Sequence, residues 1–181
     1  MNLKEVVDEL VEIVKKDYVL IFICSLIALA LSTFTIGLFY GVAFCGIGYV
    51  FLKLRNNEAV DFKDVFTYIN KFLPLFLQGL IIGLAVGLGL ILLVIPGLLV
   101  ATLFIYAPFY LAYENKGVIE SIKLSYKTVI KNNFLTHILI FSTLLALNFF
   151  GMALKMIGLL LTYPIFVGFL VLLYERIKIK E

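Results

Sequence analysis

Long apolar runs alternate with short charged stretches along the whole chain. The uncharged runs cover residues 18–52, 72–113, 132–154 and 156–174 and are 35, 42, 23 and 19 residues long. About 20 consecutive apolar residues make one helical crossing of the hydrocarbon core of a bilayer. Only Lys155 separates the last two runs. The pattern therefore predicts an all-α integral membrane protein, a polytopic bundle of transmembrane helices.

The two longest runs exceed the length of a single crossing. A helix of 35 residues is about 52 Å long, whereas a hydrocarbon core is about 30 Å thick. We predict turns near Ser32–Gly37 and at Ile95-Pro96-Gly97, because proline and glycine interrupt helices. The result is six predicted crossings, at residues 18–34, 37–54, 72–94, 97–113, 133–150 and 157–175.

Six crossings place both ends of the chain on one side of the membrane. The charged stretches 2–17, 53–71, 114–131 and 175–181 hold every Lys and Arg except Lys155, and the positive-inside rule puts them in the cytoplasm. We therefore expect a multi-pass protein of the cell membrane with cytoplasmic N- and C-termini. The first stretch mixes acids with lysines, so we expect mature structure there rather than a signal peptide.

Three of the charged stretches have the periodicity of helices with one apolar face. Their predicted inward-facing residues are Leu3, Val6, Val7, Leu10, Ile13 and Val14; Phe62, Val65, Phe66 and Ile69; and Val118, Ile122, Tyr126 and Val129. Asp61 is placed to cap the second helix. Such amphipathic helices either lie among lipid headgroups or pack on the cytoplasmic ends of their own bundle, and both interpretations stay open.

The order of elements recurs three times along the chain. Each unit has an amphipathic helix, a crossing, a Gly-Leu turn and a second crossing, and the turn glycines Gly37, Gly97 and Gly158 are 60 and 61 residues apart. We predict three parallel hairpin repeats, residues 1–56, 57–116 and 117–181, within one membrane domain covering 1–181.

Glycines recur at intervals of four on the third predicted crossing. Gly79, Gly83 and Gly87 share one helix face, and small residues at this spacing let helix backbones approach closely. We predict that they pack helices within the bundle, in preference to forming the seam of a homo-oligomer. Pro96 and Gly97 are predicted turn residues.

The composition limits the kinds of functional site that the chain could carry. The chain is 63% hydrophobic and 15% charged, with a net charge of +3, and it has no basic cluster of the kind that binds nucleic acid. His137 is predicted to make hydrogen bonds near the cytoplasmic interface, and Cys24 and Cys45 to be small packing residues. Polar residues within the crossings either line a cavity or hold helices together, and we favour the second role. The residues suggest no catalytic, cofactor-binding or metal site, so an enzyme is not expected.

Lys123, Lys127 and Lys131 stand four residues apart on the third predicted amphipathic helix. Lysines at the cytoplasmic surface are attracted to anionic lipid headgroups. We therefore predict that these three residues contact membrane lipid.

The segment from Leu93 to Phe134 resembles a broad group of prokaryotic membrane proteins that includes the YciC-type inner-membrane proteins and the membrane domain of some glycerophosphodiester phosphodiesterases. The resemblance rests on Ile95-Pro96-Gly97, Pro108, Glu114, Gly117, Glu120, Ile122, Ser125 and Phe134. It implies a multi-spanning fold with interfacial helices and carries over no activity.

Two classes of function remain open on this evidence. The first is a non-enzymatic protein that organises the membrane, interacts with lipid or serves as a subunit of another membrane protein, with a homo-oligomer also open. The second is a small transporter or channel for an uncharged or amphipathic solute. A continuous hydrated cavity would favour transport, whereas a close-packed bundle would favour the first class.

Overall fold

The structure is a computed structural model that describes residues 3–153 and 155–179. Within those ranges the chain forms helices and turns and no β-strand. The α-helices are α1 (Leu3–Phe34), α2 (Tyr40–Arg55), α3 (Phe72–Leu92), α4 (Val94–Leu103), α5 (Ala107–Tyr113), α6 (Val118–Lys131), α7 (Phe134–Ala153) and α8 (Lys155–Ile177). Two 3₁₀ turns, Phe62–Phe66 and Ile69–Lys71, precede α3.

Five helical segments of the described chain are long and apolar enough to cross a membrane. They are Leu3–Phe34, Phe62–Leu92, Val94–Tyr113, Phe134–Ala153 and Gly158–Ile177. The all-helical, multi-pass prediction is thereby confirmed at this coarse level. The remaining predicted crossing, residues 37–54, corresponds to α2, whose 16 residues span about 24 Å, less than the thickness of a hydrocarbon core.

The first predicted turn agrees with the structure. Residues 35–39 connect α1 to α2, and Ile36 and Gly37 have positive φ values of 52° and 80°. Gly37 adopts this left-handed conformation without a steric penalty. Earlier in α1, Asp17 interrupts the helix with φ −127° and ψ 31°, where the charged stretch meets the apolar run.

The second turn lies slightly before the predicted one. Leu93 is extended, with φ −167° and ψ 152°, and α4 begins at the next residue. Pro96 therefore sits in the first turn of α4, where its missing N–H donor has no helical partner to lose. Gly97 packs closely instead of turning, since a Cβ placed on Gly89 would lie 2.8 Å from the Gly97 Cα.

The second charged stretch is not the amphipathic helix that its pattern predicts. Asp61 caps the first 3₁₀ turn as expected, because its carboxylate accepts a hydrogen bond from the Lys63 amide at 2.8 Å. Asp64 in turn accepts from the Asp61 amide, also at 2.8 Å. Val65 is fully buried against α2, whereas Phe62 and Ile69 are half exposed. The segment folds back along α2, so only part of its apolar pattern is used.

The centre of the bundle is formed by α2 and α8. Contacts to α8 come from α1, α2 and α7, and α2 also contacts α3, α5 and the first 3₁₀ turn. Residues 42–48 of α2 and 170–174 of α8 are buried without interruption. Pro164 lies inside α8 without ending it. The predicted outer turn near Lys155 adjoins Leu154, which lies outside the described residues, and Gly158 belongs to α8 rather than to a turn.

The hairpin formed by α1 and α2 is shallower than the hairpin running from α3 to α5. In the second hairpin, Gln78 bonds to Ala107, and Gly89 lies against Gly97 near the tip at Leu93. The Phe44 ring, one turn into α2, stacks on Phe109 with centroids 5.1 Å apart. The start of α2 is therefore level with the end of α4. Beyond that level the second hairpin continues for about 18 Å, at 1.5 Å per residue.

Candidate functional site

The outward face of α6 combines lysines with large apolar side chains. Lys123, Lys127 and Lys131 are all exposed, and none forms an ion pair with another described residue. The same face carries three exposed apolar residues, Ile119, Tyr126 and Ile130, which are 54%, 48% and 47% exposed. An apolar face beside basic residues is typical of helices that lie in the headgroup region of a membrane.

The nearest acid on α6 is engaged elsewhere. The Glu120 carboxylate pairs with the Lys116 ammonium at 3.0 Å and accepts a weaker hydrogen bond from the Gly117 amide. The Lys116 bond, followed by the amide bond, lowers the pKa of Glu120 below its ordinary value. This carboxylate therefore forms its ion pair with Lys116 and not with the three-lysine stripe.

The inward face of α6 is lined by hydroxyl groups. Ser121, Ser125 and Thr128 are fully buried, together with Leu124 and Val129. This face is about a quarter turn away from the apolar stripe predicted from the sequence. Of that predicted stripe, Val129 is buried and Tyr126 is exposed. The prediction of the buried face was wrong because polar groups of the bundle, and not apolar ones, determine which side of α6 faces inward.

Those polar groups belong to a break in the helix between α4 and α5. Residues 104–106 are not helical, so their neighbourhood lacks regular helical hydrogen bonds. Ser125 supplies both a donor and an acceptor to this region. Its hydroxyl donates a hydrogen bond to the Leu103 carbonyl at 2.8 Å and accepts one from the Tyr106 amide at 3.1 Å. Backbone groups at membrane depth must be satisfied within the protein. The Ser125 hydroxyl therefore compensates for the break.

Two more contacts fix α6 to the bundle. The Thr128 and Tyr110 hydroxyls share a hydrogen bond of 2.6 Å, and the Gln78 amide donates to the Ser121 hydroxyl, also at 2.6 Å. Gln78 further donates to the Ala107 carbonyl at 3.1 Å. Gln78 thus joins three helices, as the favoured helix-joining role predicts. Since α6 is held on its hydroxyl side, its lysine side has a fixed outward direction.

Sequence reasoning missed the break itself, although Pro108 is a signal for it. Proline lacks an amide donor for the carbonyl four residues earlier, Phe104, and it disfavours helical geometry at the residue before it. Pro164, by contrast, is accommodated within a continuous α8. Proline alone does not identify a break, and the hydroxyl face of α6 supplies the missing part of the signal.

A cavity of about 760 Å³ lies next to the turn of the shallow first hairpin, on the side away from the charged end of the bundle. Its floor is formed by residues 36–41 and its walls by α3, by α4 and α5, and by α7 and α8. Five phenyl rings line it, those of Phe44, Phe76, Phe104, Phe141 and Phe166. The amide of Gln78 also borders it, but the amide nitrogen is already bonded to Ala107 and Ser121. The space is therefore apolar and exists because the first hairpin stops short.

The glycine stripe of α3 faces this cavity and not another helix. A Cβ placed on Gly79, Gly83 or Gly87 would meet no heavy atom of the described residues within 4 Å. Gly79 and Gly83 line the cavity, whereas Gly87 lies beyond it. The predicted packing of these three glycines within the bundle is therefore not observed. The spacing is that of a packing motif, but the first hairpin does not reach far enough to contact it.

Ion pairs gather the charged stretches at one end of the bundle. Glu9 accepts from Arg55 and from Arg176, each at 2.7 Å, and Arg176 also bonds to Glu5. Lys178 bonds to Glu114 at 2.6 Å and to Glu175 at 3.0 Å. These pairs join residues from all four charged stretches, with Lys53 and Asp64 forming a further pair inside the second one.

The stability contributed by the cluster of Lys178, Glu114 and Glu175 depends on pH. Burial by itself lowers the pKa of Lys178, but hydrogen bonds from its ammonium to Glu114 and Glu175 outweigh burial and raise that pKa above the ordinary value. The cluster therefore stabilises the fold below the pKa of an unfolded lysine, about 10.4. This contribution is lost as the pH rises through the higher folded value.

His137 is more deeply buried than predicted. It is 2% exposed, its Nδ1 lies 3.0 Å from the Asn133 carbonyl, and its ring meets that of Tyr106 edge to face. Its Nε2 and the Tyr106 hydroxyl have no hydrogen-bond partner among the described residues. His137 is thus an interior residue near the break rather than one facing the aqueous interface.

The described side chains do not adopt the arrangements that bind metal ions or form disulfides. No three His, Cys, Asp or Glu residues of the described chain come together as metal ligands. Cys24 and Cys45 are both buried and are not joined in a disulfide. Comparison with protein-family models, with curated proteins and with solved structures gives no significant match.

Proposed function

We propose that this chain is a non-catalytic integral membrane protein that binds anionic lipid headgroups through the outward face of α6. The observation that carries the proposal is the pairing of Lys123, Lys127 and Lys131 with exposed Ile119, Tyr126 and Ile130 on one face. The resemblance to YciC-type proteins, with interfacial helices, agrees with this proposal. Organisation of the membrane or service as an accessory subunit would both use such a surface.

The energetics favour lipid over solvent for this face. Each lysine near an anionic surface contributes about 1 kcal/mol, so three lysines supply a few kcal/mol at low salt, less in high salt. Burial of the neighbouring isoleucine side chains among acyl chains adds about 25 cal/mol per Å² of apolar surface. The fixed orientation of α6 means that the helix need not fold or reorient on binding, so the ordering cost is confined to the side chains.

The test replaces Lys123, Lys127 and Lys131 with glutamine. We expect less co-purified anionic lipid, and a smaller rise in Tm when anionic lipid is added to the detergent-solubilised protein. A matched control replaces the exposed Lys4, Lys15 and Lys63 with glutamine, which changes the net charge equally. If both variants lose lipid to the same extent, the effect is one of net charge, and the α6 proposal is rejected.

We also propose that both termini are cytoplasmic and that the chain contains six apolar segments in three parallel hairpins. The support is the ion-pair cluster, which gathers the ends of α2, α5 and α8 around Glu9 and Lys178. With one exception, all Lys and Arg residues lie in the stretches that this cluster joins. The positive-inside rule makes that end cytoplasmic.

Cysteine labelling tests this topology in a C24A/C45A background. Cysteines replacing Ala59 and Gly117 should react with an impermeant reagent from the cytoplasm, and one replacing Leu92, which is 75% exposed, from outside. Asn57 and Asn115 are avoided because their φ of 55° is strained for cysteine. Labelling of Ala59→Cys and Gly117→Cys from opposite sides would contradict the proposal.

A second candidate function is transport of an uncharged or amphipathic solute. The cavity above the first hairpin favours it, since such a solute needs an apolar space between helices. Proteoliposome flux of small neutral solutes is the direct measurement. Flux that is abolished by filling the cavity at Gly83 would replace the lipid-binding proposal with this one.

A further inference from the structure

The cavity above the first hairpin has the shape of a site for one hydrocarbon chain. It extends from the turn at residues 36–41 towards the tip of the α3–α4 hairpin, and its volume of about 760 Å³ is within the range of ligand sites. We propose that it takes one acyl tail of a membrane phospholipid from the leaflet opposite the charged end. This site is separate from the headgroup surface on α6, so the two proposals stand or fall independently.

The chemistry of the walls selects a hydrocarbon occupant. The lining is mostly aromatic and aliphatic, with phenyl rings from α2, α3, α7, α8 and the break between α4 and α5, and its polar side chains are Tyr40 and Gln78. Among the residues that the structure describes, no charged side chain borders the cavity. The Gln78 amide nitrogen is committed to Ala107 and Ser121, so it offers little to a polar ligand. An unpaired polar group would be costly in such a space, whereas CH₂ groups contribute about 0.8 kcal/mol each on burial.

The depth of the cavity selects a tail over a helix from a second copy. Along α3 the lining of the cavity runs from Leu75 to Val86, a length of about 16 Å at 1.5 Å per residue. One leaflet contributes about half of a 30 Å hydrocarbon core, which is a similar length. A spanning helix from another copy would have to continue past this floor, where residues 36–41 and the first hairpin lie.

The glycines of α3 make the cavity wide enough for a hydrocarbon chain, because they carry no side chain. Gly79 and Gly83 border the cavity, and a Cβ on either would project into open space rather than into protein. A leucine at Gly83 therefore fills the site without disturbing the packing of the bundle. Gly87 is on the same helix with equally open surroundings but does not line the cavity. Gly87→Leu is the matched control for added volume and helix propensity.

The experiment uses the full chain, whose lack of tryptophan permits single-tryptophan reporters. F141W places a reporter in the cavity wall, and F149W places one on the same helix at a site that is 63% exposed. Both are reconstituted in phosphatidylcholine with brominated tails, which quench nearby tryptophan. We expect Gly83→Leu to remove most of the quenching of F141W while leaving that of F149W, and Gly87→Leu to leave both.

Native mass spectrometry provides a readout without the reporters. After reconstitution with phosphatidylcholine alone, which has no net charge to attract the α6 lysines, the unsubstituted chain and Gly87→Leu should retain a phospholipid on release from detergent, and Gly83→Leu should not. Unchanged quenching of F141W in the Gly83→Leu variant, with phospholipid retained, would overturn the proposal. A dimer in the unsubstituted chain that Gly83→Leu converts to monomer would overturn it in favour of a second copy. Replacing the α6 lysines should leave the F141W quenching intact, which separates this test from that of the headgroup surface.

Discussion

The glycines of α2 and the glycines spaced by four on α3 look alike in sequence but have opposite surroundings. On α2, a Cβ at Gly46 would lie 2.7 Å from the Val65 carbonyl carbon, and one at Gly41 would lie 3.1 Å from the Leu75 Cβ. On α3, Gly79 and Gly83 have nothing within 4 Å. The glycines that permit close packing are irregularly spaced, whereas two of the three regularly spaced ones border a cavity. Spacing by four therefore shows which residues share a face but not what that face meets.

The largest effect is expected at Gly46. Gly46→Ala forces a methyl group into the Val65 backbone, which cannot move without displacing the first 3₁₀ turn, and overpacking of this kind costs about 3 kcal/mol. Thermal unfolding in detergent measures it. The control Gly79→Ala should be neutral or stabilise the protein by about 0.5 kcal/mol, because alanine is the better helix former. Equal effects of the two substitutions would remove the distinction between the two helices.

An intermediate effect is expected where α6 compensates for the helix break. Ser125→Ala removes a donor to Leu103 and an acceptor for Tyr106 from a buried site, at a cost of about 2 kcal/mol. The control is Ser32→Ala, since the Ser32 hydroxyl donates only to Ala28 in its own helix. The measurement is again unfolding in detergent, and a Ser125→Ala variant no less stable than Ser32→Ala would mean that water satisfies the break.

The smallest effect is expected at the charged end of the packed region. Glu9→Gln weakens the bonds from Arg55 and Arg176, but these groups are partly exposed, so we expect a loss of about 1 kcal/mol. Glu12→Gln, at an exposed position of the same helix, is the matched control and should change the free energy of unfolding little. High salt should reduce the difference between the two variants. A difference that persists in high salt would point to packing rather than charge.

The sequence predicted features that depend on local chemistry. Five apolar segments of crossing length, the turn at Gly37 and the Asp61 cap follow from hydropathy, from glycine at positive φ and from a carboxylate next to free amides. Each of these requires knowledge of only a few neighbouring residues.

Features set by contacts between distant segments were not predictable in this way. The depth of the first hairpin depends on how α2 meets α5, and the rotation of α6 depends on a break around Phe104. The cavity and the exposure of Gly83 follow from that depth. The two hairpins are equally apolar in sequence, so hydropathy predicts that they reach the same depth in the membrane. The six-crossing arrangement and the repeats stay predictions.

The break between α4 and α5 also has a consequence for the order of synthesis. The ribosome makes α4 and α5 before α6, so the Leu103 carbonyl and the Tyr106 amide enter the membrane before Ser125 exists to bond with them. Unsatisfied backbone groups in hydrocarbon each cost several kcal/mol. A nascent chain ending near Lys116 should therefore integrate its second hairpin poorly, and integration should be completed only as α6 emerges and docks.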